Sequence, residues 1–174
     1  RVPLQRRTVG RVYGKLPQTG ISLNKDFNNN HFTIRNNMKV LKFGGTSVGS
    51  AQRMKDVSKL ITSDGEAKIV VLSAMSGTTN TLVEISDYLY KKNPEGANNI
   101  INRLEQKYID HVEELYATEE YKQKTLEFLK EEFNYIRTFT KVMFTSFEEK
   151  IILAQGEIIS TNMVTNYLKE CGVK

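Results

Sequence analysis

Lys42 stands two residues ahead of a glycine pair in the run Lys42-Phe43-Gly44-Gly45-Thr46-Ser47-Val48-Gly49-Ser50. Paired glycines after an apolar segment let the backbone approach a bulky anion with no Cβ in the way. The amides beyond them, the Thr46 and Ser47 hydroxyls and a helix start supply donors and partial positive charge, and Lys42 adds a full cation. Gly44 and Gly49 are spaced as in a Walker A loop, but Ser50-Ala51 stand where Lys-Ser/Thr belongs. This is a phosphate cradle of another kind, with the lysine ahead of the glycines. A Gly-Gly turn alone is only a turn; Lys42, Thr46 and Ser47 together favour phosphate binding.

A second cluster, Ser73-Ala74-Met75-Ser76-Gly77-Thr78-Thr79-Asn80, concentrates small residues and hydroxyls directly after another apolar run. It suits hydrogen bonding to a small polar molecule such as an amino acid, and equally a helix capped by Thr78 or Thr79. Further on, Ala154-Gln155-Gly156-Glu157 places a glycine inside a helical pattern. That costs roughly 1 kcal/mol against alanine, so it usually serves close packing. Glu157 beside it could take an ammonium group, although a helical glutamate is ordinarily just solvated.

The elements that must carry these residues follow from hydrophobic period. Met38–Phe43 and Lys68–Ser73 read as strands, their continuous apolar character predicting cover on both faces. Between them Ser50 caps a helix with Met54, Val57 and Leu60/Ile61 on its apolar side. Strand, helix and strand in about 35 residues make a right-handed βαβ unit with parallel strands. Both loops therefore leave the carboxyl ends of neighbouring strands, where open α/β sheets bind ligands. The second half is helix-rich, with stripes at Leu82/Ile85/Leu89, Ile101/Leu104/Tyr108/Val112/Leu115, Leu126/Leu129/Phe133/Ile136 and Ile152/Ile159/Met163/Tyr167, all read as core. Cys171-Gly172-Val173-Lys174 reads as a helix stop and the start of a third strand, so the sheet is expected to be truncated at two strands.

Composition excludes several classes. No apolar run approaches the roughly 20 residues of a membrane span. One cysteine, Cys171, excludes an internal disulfide framework, and with only His31 and His111 a zinc or Ser-His-Asp site has little to build from. A reducing, cytoplasmic setting is expected. The net charge is +5, but residues 1–37 alone carry +6 and residues 38–174 sum to −1. The basicity thus belongs to a polar leader, expected to be disordered and an upstream extension, with the folded protein starting at Met38. Its Leu16-Pro17-Gln18-Thr19-Gly20 matches a sortase signal in the wrong place, without the apolar stretch and basic tail that should follow.

With these residues in view, residues 38–174 resemble the aspartokinases. Lys42-Phe43-Gly44-Gly45-Thr46-Ser47-Val48 is similar to their opening signature, Val71 to Asn80 to their second loop, and Ala154-Gln155-Gly156-Glu157 to their Ser-x-Gly-Glu element, with Ala154 where serine is more usual. The resemblance implies an α/β fold, the amino-acid-kinase three-layer α/β/α sandwich, of which residues 38–174 form the N-terminal part. It implies transfer of a phosphoryl group from ATP, with Mg2+, to the β-carboxylate of L-aspartate, the first step of lysine, threonine and methionine synthesis. Lys42 would meet the transferring phosphoryl group; Gly44, Gly45, Thr46 and Ser47 would cradle the nucleotide phosphates; Ser73, Thr79 and Glu157 would hold aspartate. No metal ligand is recognisable, and the resemblance implies that magnesium-binding and adenine-binding parts lie beyond Lys174, so the chain alone is expected to be inactive. A homo-oligomeric full-length enzyme is also implied, with no nucleic-acid or membrane partner. The rivals are a kinase for glutamate, acetylglutamate, carbamate or a nucleoside monophosphate, and a non-catalytic fragment whose basic leader binds an acidic partner.

Overall fold

The structure is a computed structural model and describes residues 38–173. The leader at 1–37, with its sortase-like match, lies outside the described residues.

Strand β1 (Lys39–Phe43) pairs in parallel with β2 (Lys68–Leu72), Leu41 opposite Val70 and Phe43 opposite Leu72. Helix α1 (Ala51–Thr62) crosses between them, and Ser50 Oγ caps it by accepting from the Arg53 amide at 3.3 Å. Met54, Val57 and Ile61 of α1 are buried and Leu60 is exposed, so the apolar side turns through Ile61. Four long helices follow: α2 (Thr78–Tyr90), α3 (Pro94–Leu115), α4 (Glu119–Thr138) and α5 (Ser146–Glu170), with a 3-10 turn at Phe139–Lys141. Their starts follow local chemistry. Asn93 caps α3 with Pro94 in its first turn, and Thr145 with Glu148 forms a reciprocal capping box on α5.

Alternation in the strands sorts their faces. Leu41, Phe43, Val70 and Leu72 are partly covered, and Phe43, Val70 and Leu72 pack against the helical core. Val40, Ile69 and Val71 are 62%, 50% and 43% exposed. The expectation of strands covered on both faces is therefore corrected: the described helices stack on one side only. The third strand expected after α5 does not form among the described residues. Gly172 stops the helix at φ +81°, and the Val173 amide turns back to Leu168 O.

The core is carried by the helices, around Tyr108, Phe133, Leu82, Ile101, Leu129 and Ile152, all fully buried. Polar ties join α5 to α4 and to the connection between α3 and α4. Asn166 Nδ2 donates to Thr125 Oγ1 at 3.1 Å, and Tyr116 Oη donates to Met163 O at 2.8 Å. Glu170, at the end of α5, accepts from the Thr118 amide at 2.7 Å, the Thr118 hydroxyl at 2.6 Å and the Ala117 amide at 3.1 Å. Thr118 makes no side-chain cap of its own on α4, so a distant carboxylate caps that helix instead. Glu170→Ala removes all three bonds. It should lower stability by about 1–2 kcal/mol, the usual worth of a lost cap, read from the urea midpoint with an unchanged slope. An unshifted midpoint would show that water replaces the carboxylate.

Candidate functional site

Three segments meet at the carboxyl end of the sheet. The Ser73 amide donates to Phe43 O at 3.1 Å, so the two strands end side by side and their loops start together. The loops then nest. A Cβ on Gly45 would lie 2.7 Å from Ala74 O, a fixed backbone atom, and one on Gly49 would lie 3.1 Å from Ser76 Cβ. Gly45 is thus small because the second loop occupies its side-chain space, and Gly49 because Gly45 O, at 3.0 Å, and the second loop crowd it together. Gly44 differs, since nothing lies within 4 Å of where its Cβ would stand. Its open side is where a ligand can come close to backbone.

Lys42 is exposed in the last turn of β1, on the uncovered sheet face beside Val71. Thr46 is exposed and Ser47 half-buried, the Ser47 amide closing a turn onto Gly44 O at 2.8 Å. Arg53, one turn into α1, donates to Thr46 O and holds a second cation beside the first loop. A shallow cleft of about 350 Å³, lined by Phe43, Ser47, Arg53, Asp56, Val57 and Leu60, adjoins this edge. It contains neither Lys42 nor Glu157.

The second loop is held from below. Ser160 Oγ of α5 donates to Ser73 O at 2.8 Å, so both backbone groups of Ser73 are engaged and its side chain departs from a pinned position. Gly156 explains itself here, because a Cβ on it would meet Ala74 Cβ at 2.7 Å and Thr78 Cγ2 at 3.2 Å. This contact seats α5 against the loop and carries Glu157, exposed, to the same end of the sheet. The threonine-cap reading of this loop is corrected. Gly77 occupies the cap position at φ +83° with no side-chain bond, Thr78 is fully buried against α3, and Thr79 is exposed.

The structure thus gathers Lys42, Gly44, Gly45, Thr46 and Ser47 in one loop region, with Ser73, Thr79 and Glu157 beside it. Sequence reading passed over Arg53, Lys107 and Tyr108. Lys107 Nζ donates to Ser76 O at 3.1 Å, and Tyr108 Oη shares a 3.0 Å hydrogen bond with Thr78 Oγ1. No local pattern could have flagged that pair, which lies about 30 residues downstream in a stripe that reads simply as core. Among the described residues no three His, Cys, Asp or Glu side chains cluster to hold a metal ion.

Residues 37–174 match the profile of the family described as "Amino acid kinase family". The chain belongs to the amino acid kinase family. Within it, the similarity runs to aspartokinases. Aspartokinase 1, chloroplastic, of Arabidopsis thaliana is 33% identical over 138 residues, covering 78% of this chain and 24% of that protein. The aspartate kinase of Pseudomonas putida is 50% identical over 50 residues, 27% of this chain and 12% of that one. The crystal structure of E. coli aspartokinase III in complex with aspartate and ADP superposes with a TM-score of 0.64 at 24% identity, covering 79% of this chain and 30% of that chain. The amino-acid-kinase fold that the resemblance implies is therefore the fold present. This chain spans about a quarter of the length of the Arabidopsis relative. Among the described residues of this family member, no helix is long and apolar enough to cross a membrane.

Proposed function

We propose that this chain carries the phosphate-binding and acceptor-binding loops of an aspartokinase, with residues 38–174 the N-terminal part of its kinase domain. The observation that supports it most is the nest itself: two amide- and hydroxyl-rich loops interlocked through Gly45 and Gly49, with Gly156 holding Glu157 alongside. The similarity to aspartokinases, and a structural neighbour whose crystal holds aspartate and ADP, agree with it.

The chemistry needs little from the protein beyond charge and position. A β-carboxylate is ionised at pH 7, since its ordinary pKa is about 3.9, so no base has to remove a proton. One carboxylate oxygen attacks the γ-phosphorus of ATP, the bond to the β-phosphate oxygen breaks, and ADP leaves with 4-phospho-L-aspartate as the other product. Charge builds on the equatorial phosphoryl oxygens. Lys42 faces that charge, and the Gly44-Gly45-Thr46-Ser47 amides and hydroxyls hold the phosphates behind it. Glu157 takes the substrate ammonium, with Ser73 and Thr79 as hydroxyl partners. Magnesium enters as the counter-ion of the substrate MgATP, and no ligand for it is assigned to residues 38–173. A cytoplasmic setting and a homo-oligomeric whole enzyme belong to the same reading.

The test is acceptor choice by the natural full-length protein, followed as ADP release with aspartate, glutamate, acetylglutamate, carbamate and a nucleoside monophosphate. Aspartate should lead, with glutamate poorer by at least about tenfold, the usual discrimination for one methylene. A nucleoside monophosphate or carbamate in the lead would overturn the assignment.

A further inference from the structure

The buried Thr78–Tyr108 pair carries an inference that rests on the aspartokinase reading and goes beyond the residues it uses. Both residues are fully buried, and their hydroxyls meet at 3.0 Å across 30 residues of chain. One position earlier on α3, Lys107 grips Ser76 O. Helix α3 therefore holds the second loop at two points, on either side of Gly77. The loop needs holding from outside, because Gly77 gives α2 no side-chain cap and stands in a left-handed conformation. On its other side Thr78 Cγ2 presses toward Gly156, the residue before Glu157. Burial pushes the Tyr108 phenol up to about 12, the Thr78 hydrogen bond pulls the other way, and the Glu157 carboxylate adds to the rise. The hydroxyl is therefore protonated at working pH and lies in the field of Glu157.

Stability alone does not account for the pair. Replacing both partners of a buried hydrogen bond by apolar groups of the same shape is close to neutral. What the bond adds over a Val–Phe contact is direction: it fixes the rotation of Thr78, hence of the peptide that presents Thr79, and it sets the floor against which Gly156 and Glu157 rest. We infer that Tyr108 is a positioning residue of the amino-acid site, acting through Thr78 on Thr79 and Glu157.

Tyr108→Phe leaves the Thr78 hydroxyl buried without its partner, so its effects mix stability with position. Thr78→Val/Tyr108→Phe removes both hydroxyls and separates the two. In the 174-residue chain the double variant should keep the wild-type urea midpoint, while exchange of the Thr78 amide, bonded to Met75 O at 3.0 Å, quickens roughly tenfold, the worth of about one hydrogen bond. In the natural full-length protein its KM for aspartate should rise by roughly the same tenfold factor, with KM for ATP and kcat within about twofold. If exchange and aspartate KM return to wild type along with stability, the pair is merely structural and the inference is overturned. A wild-type protein that ignores aspartate would sink the kinase reading instead, and the exchange measurement would still decide whether Tyr108 holds the loop.

Discussion

Lys42→Ala in the natural full-length protein is expected to lower kcat about 10³-fold while leaving the fold intact. The two halves of that expectation have separate causes. Lys42 is exposed on the uncovered sheet face, and surface substitutions of this kind usually change stability by no more than about 0.5 kcal/mol. In the proposed mechanism the same ammonium faces charge spread over the phosphoryl oxygens in the transition state. Removing one preorganised donor there costs about 10²–10³ in kcat, and a full cation on a transferring phosphoryl group about 10³ or more. Lys42→Arg keeps the charge but not the compact ammonium, so partial recovery is expected. The measurement is steady-state ADP release beside a urea midpoint. Loss of turnover smaller than tenfold, with the midpoint unchanged, would remove Lys42 from the chemistry and the phosphate cradle with it.

Gly156→Val should produce the largest loss of stability, about 2–3 kcal/mol, equivalent to a fall in Tm of roughly 6–12 °C. Its sign is settled by comparing two opposed terms. Alanine gains about 1 kcal/mol of helix propensity over glycine in the middle of α5, and valine part of that. Against that, the new Cβ would meet Ala74 Cβ at 2.7 Å, and Ala74 Cβ, bonded directly to the loop backbone, cannot swing away as the end of a long side chain would. Overpacking of this kind costs about 1–3 kcal/mol, and the two γ-methyls of valine add to it. Alanine, which takes the propensity gain with a smaller clash, should fall between glycine and valine. Because Glu157, the proposed ammonium ligand, follows Gly156 directly, aspartate binding by the natural protein should weaken in the same order. Gly44→Ala is the matched contrast: with nothing within 4 Å of its Cβ, stability should hold. Equal midpoints for Gly156→Val and wild type would show that α5 can shift off the loop without cost.

The helices were legible because each carries its own hydrophobic period. Ser50 as the cap of α1 and Gly172 as the end of α5 were legible too, whereas the caps that Asn93 and Thr145 place on α3 and α5 emerge only in the folded chain. Of the residues the stripes name as core, Met54, Tyr108, Phe133 and Ile152 are fully buried, Leu126 and Tyr167 are partly buried, and Leu60 is exposed. Continuous apolar strands were less informative. Val40, Ile69 and Val71 read as buried because hydrophobicity alone does not say which face of a strand has a neighbour.

The candidate site divides along the same line. Lys42, the Gly44-Gly45 pair and the hydroxyl-rich second loop were readable, since the approach of an anion to backbone is encoded by neighbours in the chain. Left to tertiary structure were the reasons for Gly45, Gly49 and Gly156, the refusal of Thr78 and Thr79 to act as caps, and the bracing of that loop by Lys107 and Tyr108. By itself the sequence determined which groups could meet a phosphate and which turns would present them. Only the packed molecule decided which of them stand together, because steric exclusion and buried hydrogen bonds act between atoms that the chain separates by 27 residues or more.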